Sequence, residues 1–344
     1  MGYPLSRRGF VSLSAGAISA LLQRQIAYAQ DAGDPLASWN DGNAKKALVD
    51  FVRSATDAAA ASYIPPAQRL ATFDQDGTLW VEHPIYTQVV FALDRVVALA
   101  PQHPEWKTTQ PFSFVLADDK AAIAKFTTKD LEAIVVATHT GMDVEAFQAI
   151  AKAWAAKAKH PRWNRLYTDL VYQPMLELMS LLRSNGFAIY IVTGGGQDFV
   201  RTYAGGAYGL QPQQIIGSAV ETQYGYNSRG EGILMRSPKL LLNNNMSGKP
   251  EDIYLFTGRR PQVSFGNSTG DRQMLEWTEA GPRQRLMMLV LHDDSEREYA
   301  YGPALGLPNT KVGTFTQALY DEAKTRGWFV ISMKRDWRRV FSFE

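Results

Sequence analysis

The sequence predicts an α/β fold, in which a doubly wound parallel sheet carries an all-helical insertion after its first strand. Short apolar runs such as FAIYIV and RLMMLVL alternate with amphipathic segments of about 10–15 residues, which is typical of a parallel sheet covered by helices. Between residues 84 and 161, apolar residues instead recur at three- and four-residue spacing, which predicts helices alone. With 344 residues, the chain is long enough to bury both a core and an insertion.

The first 29 residues have the layout of an export signal. The pair Arg7-Arg8 precedes a weakly apolar run over residues 9–22, and Ala27-Tyr28-Ala29 provides a small-x-small cleavage site. The segment SRRGF resembles the twin-arginine type of signal. The apolar run is too short to be a stable membrane span. We therefore expect a soluble periplasmic protein with no stable membrane anchor after cleavage, which contacts the twin-arginine export machinery only transiently.

Composition excludes several kinds of partner and chemistry. The formal net charge is +2, and removing the signal takes away three arginines and no acids, which leaves −1. Nucleic-acid binders normally carry a basic stripe or tail, so we expect no nucleic-acid partner. The absence of cysteine excludes disulfides, thiolate nucleophiles and cysteine-based zinc sites.

The mature chain is predicted to form a core that is interrupted by a helical cap. A helical period over residues 41–60 is followed by a short predicted strand, Arg69–Phe73. The helices of the insertion come next, and strands alternate with helices again from about Val171 onward. We therefore assign residues 30–80 and 169–344 to the core and residues 81–168 to the cap.

Polar residues follow the predicted strands at the point where each strand ends. Ligands of an open parallel sheet bind in the crevice outside the carboxyl ends of its strands, so these residues are candidates for one shared site. A lysine, Lys249, lies at a predicted helix start in SGKPEDI and could join them. The residues at the strand ends are Asp74 and Asp76 after the first strand, Thr193 and Gly194 after FAIYIV, and Asn267 and Asp271 in GNSTGD.

This set of side chains suits phosphoryl transfer. One carboxylate can act as the nucleophile and form an aspartyl-phosphate. A hard cation such as Mg²⁺ prefers oxygen ligands and would offset the repulsion between two anionic reactants. A hydroxyl, a free amide and an ammonium can stabilise the phosphoryl oxygens. A second carboxylate can protonate the leaving alkoxide and then deprotonate the attacking water.

The segments DQDGT, VTGGG, GK and GNSTGD resemble the four motifs of the haloacid dehalogenase superfamily. The helical insertion is similar to that of the phosphoserine phosphatase branch. The resemblance implies a Rossmann-like core with Asp74 as the nucleophile and Asp76 as the general acid and base. It also implies phosphate binding by Thr193, Gly194 and Lys249, and Mg²⁺ binding by Asp74, Asp76, Asn267 and Asp271.

The function that the resemblance implies is an exported, Mg²⁺-dependent phosphatase that hydrolyses a small phosphomonoester. A carboxylate at Asp76 favours a phosphatase or phosphomutase over a dehalogenase. Asn267 stands where aspartate is commoner, and the lost charge should weaken metal affinity. Two alternatives stay open: a phosphotransferase or phosphomutase with the same chemistry, and a non-catalytic periplasmic protein that binds phosphoesters.

Several residue assignments also keep an alternative. Lys239 competes with Lys249 for the phosphate, although its setting predicts a surface strand. The pair Asp293-Asp294, which follows His292 after a strong strand, competes with Asn267 and Asp271 for the metal. Trp80, Glu82 and His83 are predicted either to recognise the leaving group or only to pack or be solvated. The substrate itself stays open among phosphoserine, phosphocholine, nucleotides and pyrophosphate.

Overall fold

The computed structural model describes residues 33–344, so the predicted signal over residues 1–29 lies outside the described residues. From Leu36 onward the chain forms one unit around a seven-stranded sheet. The strands are β1 Leu70–Phe73, β2 Ala188–Gly196, β3 Ile215–Tyr226, β4 Gly232–Leu242, β5 Val263–Gly266, β6 Leu286–Leu291 and β7 Phe329–Ser332. The α-helices are α1 Asn43–Thr56, α2 Thr87–Leu99, α3 Phe112–Leu116, α4 Lys120–Ile123, α5 Thr128–His139, α6 Val144–Ala155, α7 Gln173–Ser184, α8 Gln197–Tyr208, α9 Gly248–Thr257, α10 Arg272–Glu279, α11 Gln317–Arg326 and α12 Met333–Asp336.

The sheet has the order β4-β3-β2-β1-β5-β6-β7, and every neighbouring pair is parallel except β3 and β4. The prediction of an α/β fold with a parallel sheet is therefore confirmed. Strand β1 lies at the centre, between β2 and β5, and the chain continues to opposite sides of it. This is the topological switch point, where the crevice for a ligand opens at the carboxyl end of a doubly wound sheet.

The centre of the sheet is apolar because its strands are covered on both faces. All four residues of β1 are buried, as are all six of β6, so neither strand alternates buried and exposed residues. Phe73 of β1 stacks on Phe265 of β5 with ring centroids 4.6 Å apart. The residues directly after these two aromatic rings are Asp74 and Gly266, so this packing fixes where two of the predicted motifs begin.

Every regular element between β1 and β2 is helical. A small apolar cluster of Ala92, Val96, Trp106, Val115 and Ile134 holds helices α2, α3 and α5 together. Helix α5 begins with a capping box, in which Thr127 and Asp130 exchange side-chain and backbone hydrogen bonds. Among the helices of residues 33–344, none has the length and apolar character needed to cross a bilayer.

The antiparallel hairpin of β3 and β4 was not predicted as such, and it joins the sheet to the helical insertion. The amide of Gly141 donates to the carbonyl of Arg236 at 3.1 Å, and the amide of Arg236 donates to the carbonyl of Met142 at 2.9 Å. The loop between α5 and α6 therefore pairs with the outer strand of the sheet. Lys239 lies on the exposed part of β4 and pairs with Glu221 at 2.6 Å, which confirms its surface strand.

Candidate active site

The ammonium of Lys249 is the centre of a buried charge cluster below the carboxyl end of β1. Lys249 lies in the first turn of α9 and its side chain is only 2% exposed. Its Nζ donates to Asp74 Oδ1 at 2.5 Å, to Asp271 Oδ1 at 2.6 Å and to the carbonyl of Val192 at 2.8 Å. Three hydrogen bonds use all three ammonium protons, so the lysine is fully satisfied.

Burial and charge act in opposite directions on this cluster. Burial and the negative charge of Asp271 together raise the pKa of Asp74 to about 7. The positive charge of Lys249 opposes this rise. Burial alone would lower the pKa of Lys249, but the charges of Asp271 and Asp74 raise it above its ordinary value. The ammonium therefore stays protonated between two carboxylates, and the cluster keeps an excess of negative charge.

Asp76 is held by an aromatic residue from its own loop. Its Oδ1 accepts a hydrogen bond from Trp80 Nε1 at 2.7 Å, and the indole stacks on Tyr203 of α8 with centroids 4.8 Å apart. Burial raises the pKa of Asp76 to about 6, although the bond from Trp80 opposes the rise. The indole thus fixes the orientation of the carboxyl group that is predicted to move protons.

The turn after Asp76 requires glycine for two separate reasons. Gly77 has φ +74°, a left-handed conformation that other residues rarely adopt. A Cβ there would lie 2.1 Å from Asn267 Nδ2 and 2.3 Å from Glu82 Oε1. These two side chains are themselves paired, since Asn267 Nδ2 donates to Glu82 Oε1 at 2.7 Å. The Gly77 carbonyl accepts a hydrogen bond from His292 Nε2 at 2.7 Å.

The GNSTGD loop wraps around the carboxylate of Asp271. Its Oδ2 accepts hydrogen bonds from the amides of Asn267 and Ser268, both at 3.0 Å. Gly266 leaves room for the Asp271 side chain, because a Cβ at position 266 would lie 2.4 Å from Asp271 Cβ. One oxygen of Asp271 therefore orders its own loop while the other contacts Lys249.

The glycine-rich end of β2 is ordered from both sides. The amide of Gly195 donates to Thr193 Oγ1 at 3.0 Å, and the amide of Gly196 donates to Gln88 Oε1 of α2 at 2.7 Å. Asn244 Nδ2 donates to the carbonyl of Thr193 at 2.8 Å. A residue of the helical insertion thus contacts the predicted phosphate-binding loop directly.

A cavity of about 390 Å³ lies against these residues. Of the predicted site residues, Asp74, Asp76, Glu82, Gly194, Lys249 and Asp271 line it, whereas Thr193 and Asn267 are buried beside it. Trp80 and His83 do not line it. Of the two interpretations of these residues, the contacts favour packing: Trp80 orients Asp76, and His83 stacks on Tyr301 and contacts the Val312 carbonyl.

The alternative assignments find no place in this cavity. Asp293 accepts hydrogen bonds from Ser332 Oγ at 2.5 Å and from the amide of Lys334 at 3.0 Å. Asp294 forms a salt bridge with Arg297 at 2.6 Å. His292 reaches the site only through the Gly77 carbonyl. Asp293 and Asp294 therefore stabilise the end of β6 and the loop that follows it.

The chemistry of the donors fits Mg²⁺. Across residues 33–344 no three histidine or acidic side chains form a ready metal cluster, so the candidate set includes an amide and a backbone carbonyl. Thr78 Oγ1 lies 3.2 Å from Asn267 Oδ1 and 3.5 Å from Asp74 Oδ2. The side-chain oxygens of Asn267 and Asp74 are therefore close to the same hydroxyl. Asp74, the Asp76 carbonyl, Asn267 and Asp271 would offer only oxygen, and Mg²⁺ usually completes such sites with water.

Another part of the cavity wall contains residues that sequence reasoning did not identify. Arg236 comes from β4, His139 and Phe147 come from the helical insertion, and Asp198 and Phe199 come from α8. No short motif joins these residues, because they meet only when the hairpin packs on the insertion. The one local feature of the sequence that could have indicated this wall is Arg236 itself, a charged residue in the middle of a strand.

Replacing Gly77 with alanine should destabilise the protein more than the same change at Gly327. Both glycines have φ +74°, so both variants incur the left-handed penalty of about 1–2 kcal/mol. Only at Gly77 does the new Cβ overlap neighbouring atoms, which should add about 1–3 kcal/mol. Urea unfolding of both variants measures the difference, and equal losses would contradict this account of the turn.

Comparisons with known proteins agree with this architecture. No curated protein matches the sequence. A functionally unknown protein from Anaerococcus prevotii DSM 20548 is 14% identical with TM-score 0.51, over 73% of this chain and 86% of that chain. A protein of unknown function from Bordetella pertussis Tohama I is 14% identical with TM-score 0.47, over 77% and 98% of the two chains. A phosphoserine phosphohydrolase-like protein from Francisella tularensis subsp. tularensis SCHU S4 is 14% identical with TM-score 0.37, over 65% and 88%.

At such low identity the first of these structures supports the fold alone. The sequence itself gives the assignment, because the model of the haloacid dehalogenase-like hydrolases matches residues 71–276, which is more than half of the chain. The protein belongs to the haloacid dehalogenase-like hydrolase family.

Proposed function

We propose that this hydrolase is a Mg²⁺-dependent phosphatase that cleaves a small phosphomonoester through an aspartyl-phosphate on Asp74. The observation that carries the proposal is the position of Lys249, whose ammonium joins Asp74 to Asp271 at the wall of the cavity. A buried cation beside a carboxylate nucleophile is what an incoming phosphate dianion requires, since it offsets the repulsion between two anions.

In the first half-reaction, an oxygen of Asp74 attacks phosphorus and the ester bond breaks. Asp76 gives its proton to the departing alkoxide, so the alcohol leaves neutral. The raised pKa of Asp76, about 6, supports this role because it increases the protonated fraction near neutral pH. Lys249 would stabilise the phosphoryl oxygens through its charge, and Thr193 and the Gly194 amide would donate hydrogen bonds to them.

In the second half-reaction, Asp76 accepts a proton from water and the water oxygen attacks phosphorus. The bond from phosphorus to Asp74 breaks, which regenerates the carboxylate and releases inorganic phosphate. Trp80 keeps Asp76 in one orientation for both proton transfers. A bound Mg²⁺, held by Asp74, the Asp76 carbonyl, Asn267 and Asp271, would supply positive charge against the phosphate oxygens.

The helical insertion would act as a cap over this chemistry, as in the phosphoserine phosphatase branch. Its contact with the core through Gln88 and Gly196 supports this role, because the bond joins α2 to the glycine-rich loop. Closure would exclude water while the ester bond breaks, and opening would admit the water that completes hydrolysis.

Replacing Asp74 with asparagine should lower the hydrolysis of p-nitrophenyl phosphate by at least about a hundredfold, because the amide is a poor nucleophile. Asp57→Asn, at an exposed position, is the matched control and should retain full activity. Circular dichroism and urea unfolding check that both variants are folded. A folded Asp74→Asn protein with more than a few per cent of the activity would exclude Asp74 as the nucleophile.

Removing divalent metal with EDTA should lower hydrolysis by at least about tenfold, because the phosphate charge would lose its strongest counterion. Dialysis followed by addition of Mg²⁺ should restore the rate, whereas sodium chloride at equal ionic strength should not. Initial rates with p-nitrophenyl phosphate measure both effects. An activity that EDTA leaves unchanged would contradict the metal role.

We also propose that the protein reaches the periplasm by the twin-arginine route, on the basis of Arg7-Arg8 and the cleavage site that follows. Changing both arginines to lysine should block export while the folded enzyme accumulates in the cytoplasm. Cell fractionation and the mass of the mature chain measure this. An unchanged periplasmic fraction would contradict the proposed route.

A further inference from the structure

The part of the cavity wall formed by the helical insertion and the hairpin carries polar groups that no proposed step uses. Arg236 of β4 and His139 of α5 both line the cavity, and both are almost completely buried, at 7% and 1% exposed. Phe147 and Phe199 lie beside them on the same wall. A donor nitrogen without a partner on a buried side chain beside a cavity is a candidate ligand contact, because buried polar atoms are costly when they stay unpaired.

The guanidinium of Arg236 is fixed on three sides. Its Nε donates to the carbonyl of His139 at 2.7 Å, its Nη1 is paired with Asp198, and its plane lies over the ring of Phe147 with 4.1 Å to the centroid. Within residues 33–344, Nη2 has no hydrogen-bond partner. The arginine therefore presents a preorganised donor edge to the cavity.

The imidazole of His139 is a neutral, buried support behind the Arg236 side chain. Thr138 Oγ1 donates to the Ile134 carbonyl at 2.6 Å, so its single proton is used. The 2.8 Å contact between Thr138 Oγ1 and His139 Nδ1 must then use a proton on Nδ1. Nε2 carries the lone pair, has no partner in the described part of the chain and is closed off from the cavity, since the ring packs against Phe91 and Phe147. Burial lowers the pKa of His139 to about 3, together with the charges of Arg236 and Arg95, so the ring stays neutral.

The charge on this wall is opposite to the charge around Asp74. Asp198 is shared by two guanidinium groups, since Arg201 Nη1 lies 3.3 Å from its second oxygen. One carboxylate shared between two cations leaves an excess of positive charge around Arg236, although Arg201 itself does not line the cavity. At the Lys249 cluster one ammonium faces two carboxylates, so a phosphate there also needs the charge of a bound Mg²⁺, whereas an anion beside Arg236 does not.

We infer that Arg236 binds the leaving group and selects phosphomonoesters whose alcohol carries a second anionic group. The inference rests on the proposed function, which puts the phosphate at Asp74. The second anion would pair with Arg236 Nη2 in a charge-assisted hydrogen bond. A cavity of about 390 Å³ can hold a small phosphomonoester of this kind.

The wild-type protein tests the inference with three substrates. 3-Phosphoglycerate has a carboxylate and a hydroxyl, glycerol 3-phosphate has a neutral hydroxymethyl group in place of the carboxylate, and phosphocholine has a cation. The kcat/KM for 3-phosphoglycerate should exceed those of the other two by about 10- to 100-fold, the worth of one hydrogen bond to a charged group. A ratio within threefold of one, or a preference for phosphocholine, would overturn the inference.

Variants test whether Arg236 causes the preference for 3-phosphoglycerate. Arg236→Met should reduce the ratio of 3-phosphoglycerate to glycerol 3-phosphate by at least about tenfold. Lys239→Met removes an exposed cation from the same strand and should leave the ratio unchanged. Because Arg236 also joins the hairpin to the insertion, Asp198→Asn is a second test that keeps the guanidinium. It should raise the ratio severalfold, and a ratio unaffected in both Arg236→Met and Asp198→Asn would overturn the inference.

Binding separates this inference from the proposed function. Calorimetry with the Asp74→Asn variant compares the Kd of 3-phosphoglycerate and glycerol 3-phosphate without any turnover. If the wild type hydrolyses no ester, the proposed function fails, yet tighter binding of 3-phosphoglycerate would still support the subsite. If the wild type hydrolyses p-nitrophenyl phosphate but the two Kd values are equal, only the subsite is wrong.

Discussion

The position of one buried ammonium determines how the rest of the site can be arranged. Lys249 joins the loop after β1, the carbonyl of Val192 on β2 and the loop after β5. A buried cation is stable only where its partners satisfy every proton, and removing one carboxylate would leave an uncompensated charge in the core. Three neighbouring strands must therefore end at the same depth, and the stacked pair of Phe73 and Phe265 fixes that depth for two of them.

The sequence could predict this part of the molecule because parallel strands bring their carboxyl ends to one edge. Asp74, Lys249 and Asp271 were identified from their places after strands or at a helix start, and the structure brings them into contact. The roles of Trp80 and Arg236 could not be predicted in this way. Whether an indole faces a carboxylate or a ligand depends on how α8 packs, and Arg236 faces the cavity only because its strand pairs with the helical insertion.

The pairing of β4 with the helical insertion also covers part of an exposed sheet edge. Strand β4 is the outer strand, and its free backbone groups could pair with another chain. Gly141 and Met142 occupy part of this edge with their own amide and carbonyl groups. The same contact connects the outer strand to the insertion, while Gln88 connects the insertion to the glycine-rich loop. These two contacts are among several that attach the insertion to the core around the cavity.

The pair of Asn267 and Glu82 gives a reason for the amide at a position where the family more commonly has an acid. Glu82 is buried, and burial raises its pKa well above the ordinary value. The Asn267 amide donates to Glu82 without adding charge, whereas a carboxylate at the same position would place a second acid against a buried one. Gly77 and Gly313 pack against the same carboxyl group and leave it no room to turn away. We therefore expect relatives that carry aspartate at position 267 to lack an acid at position 82.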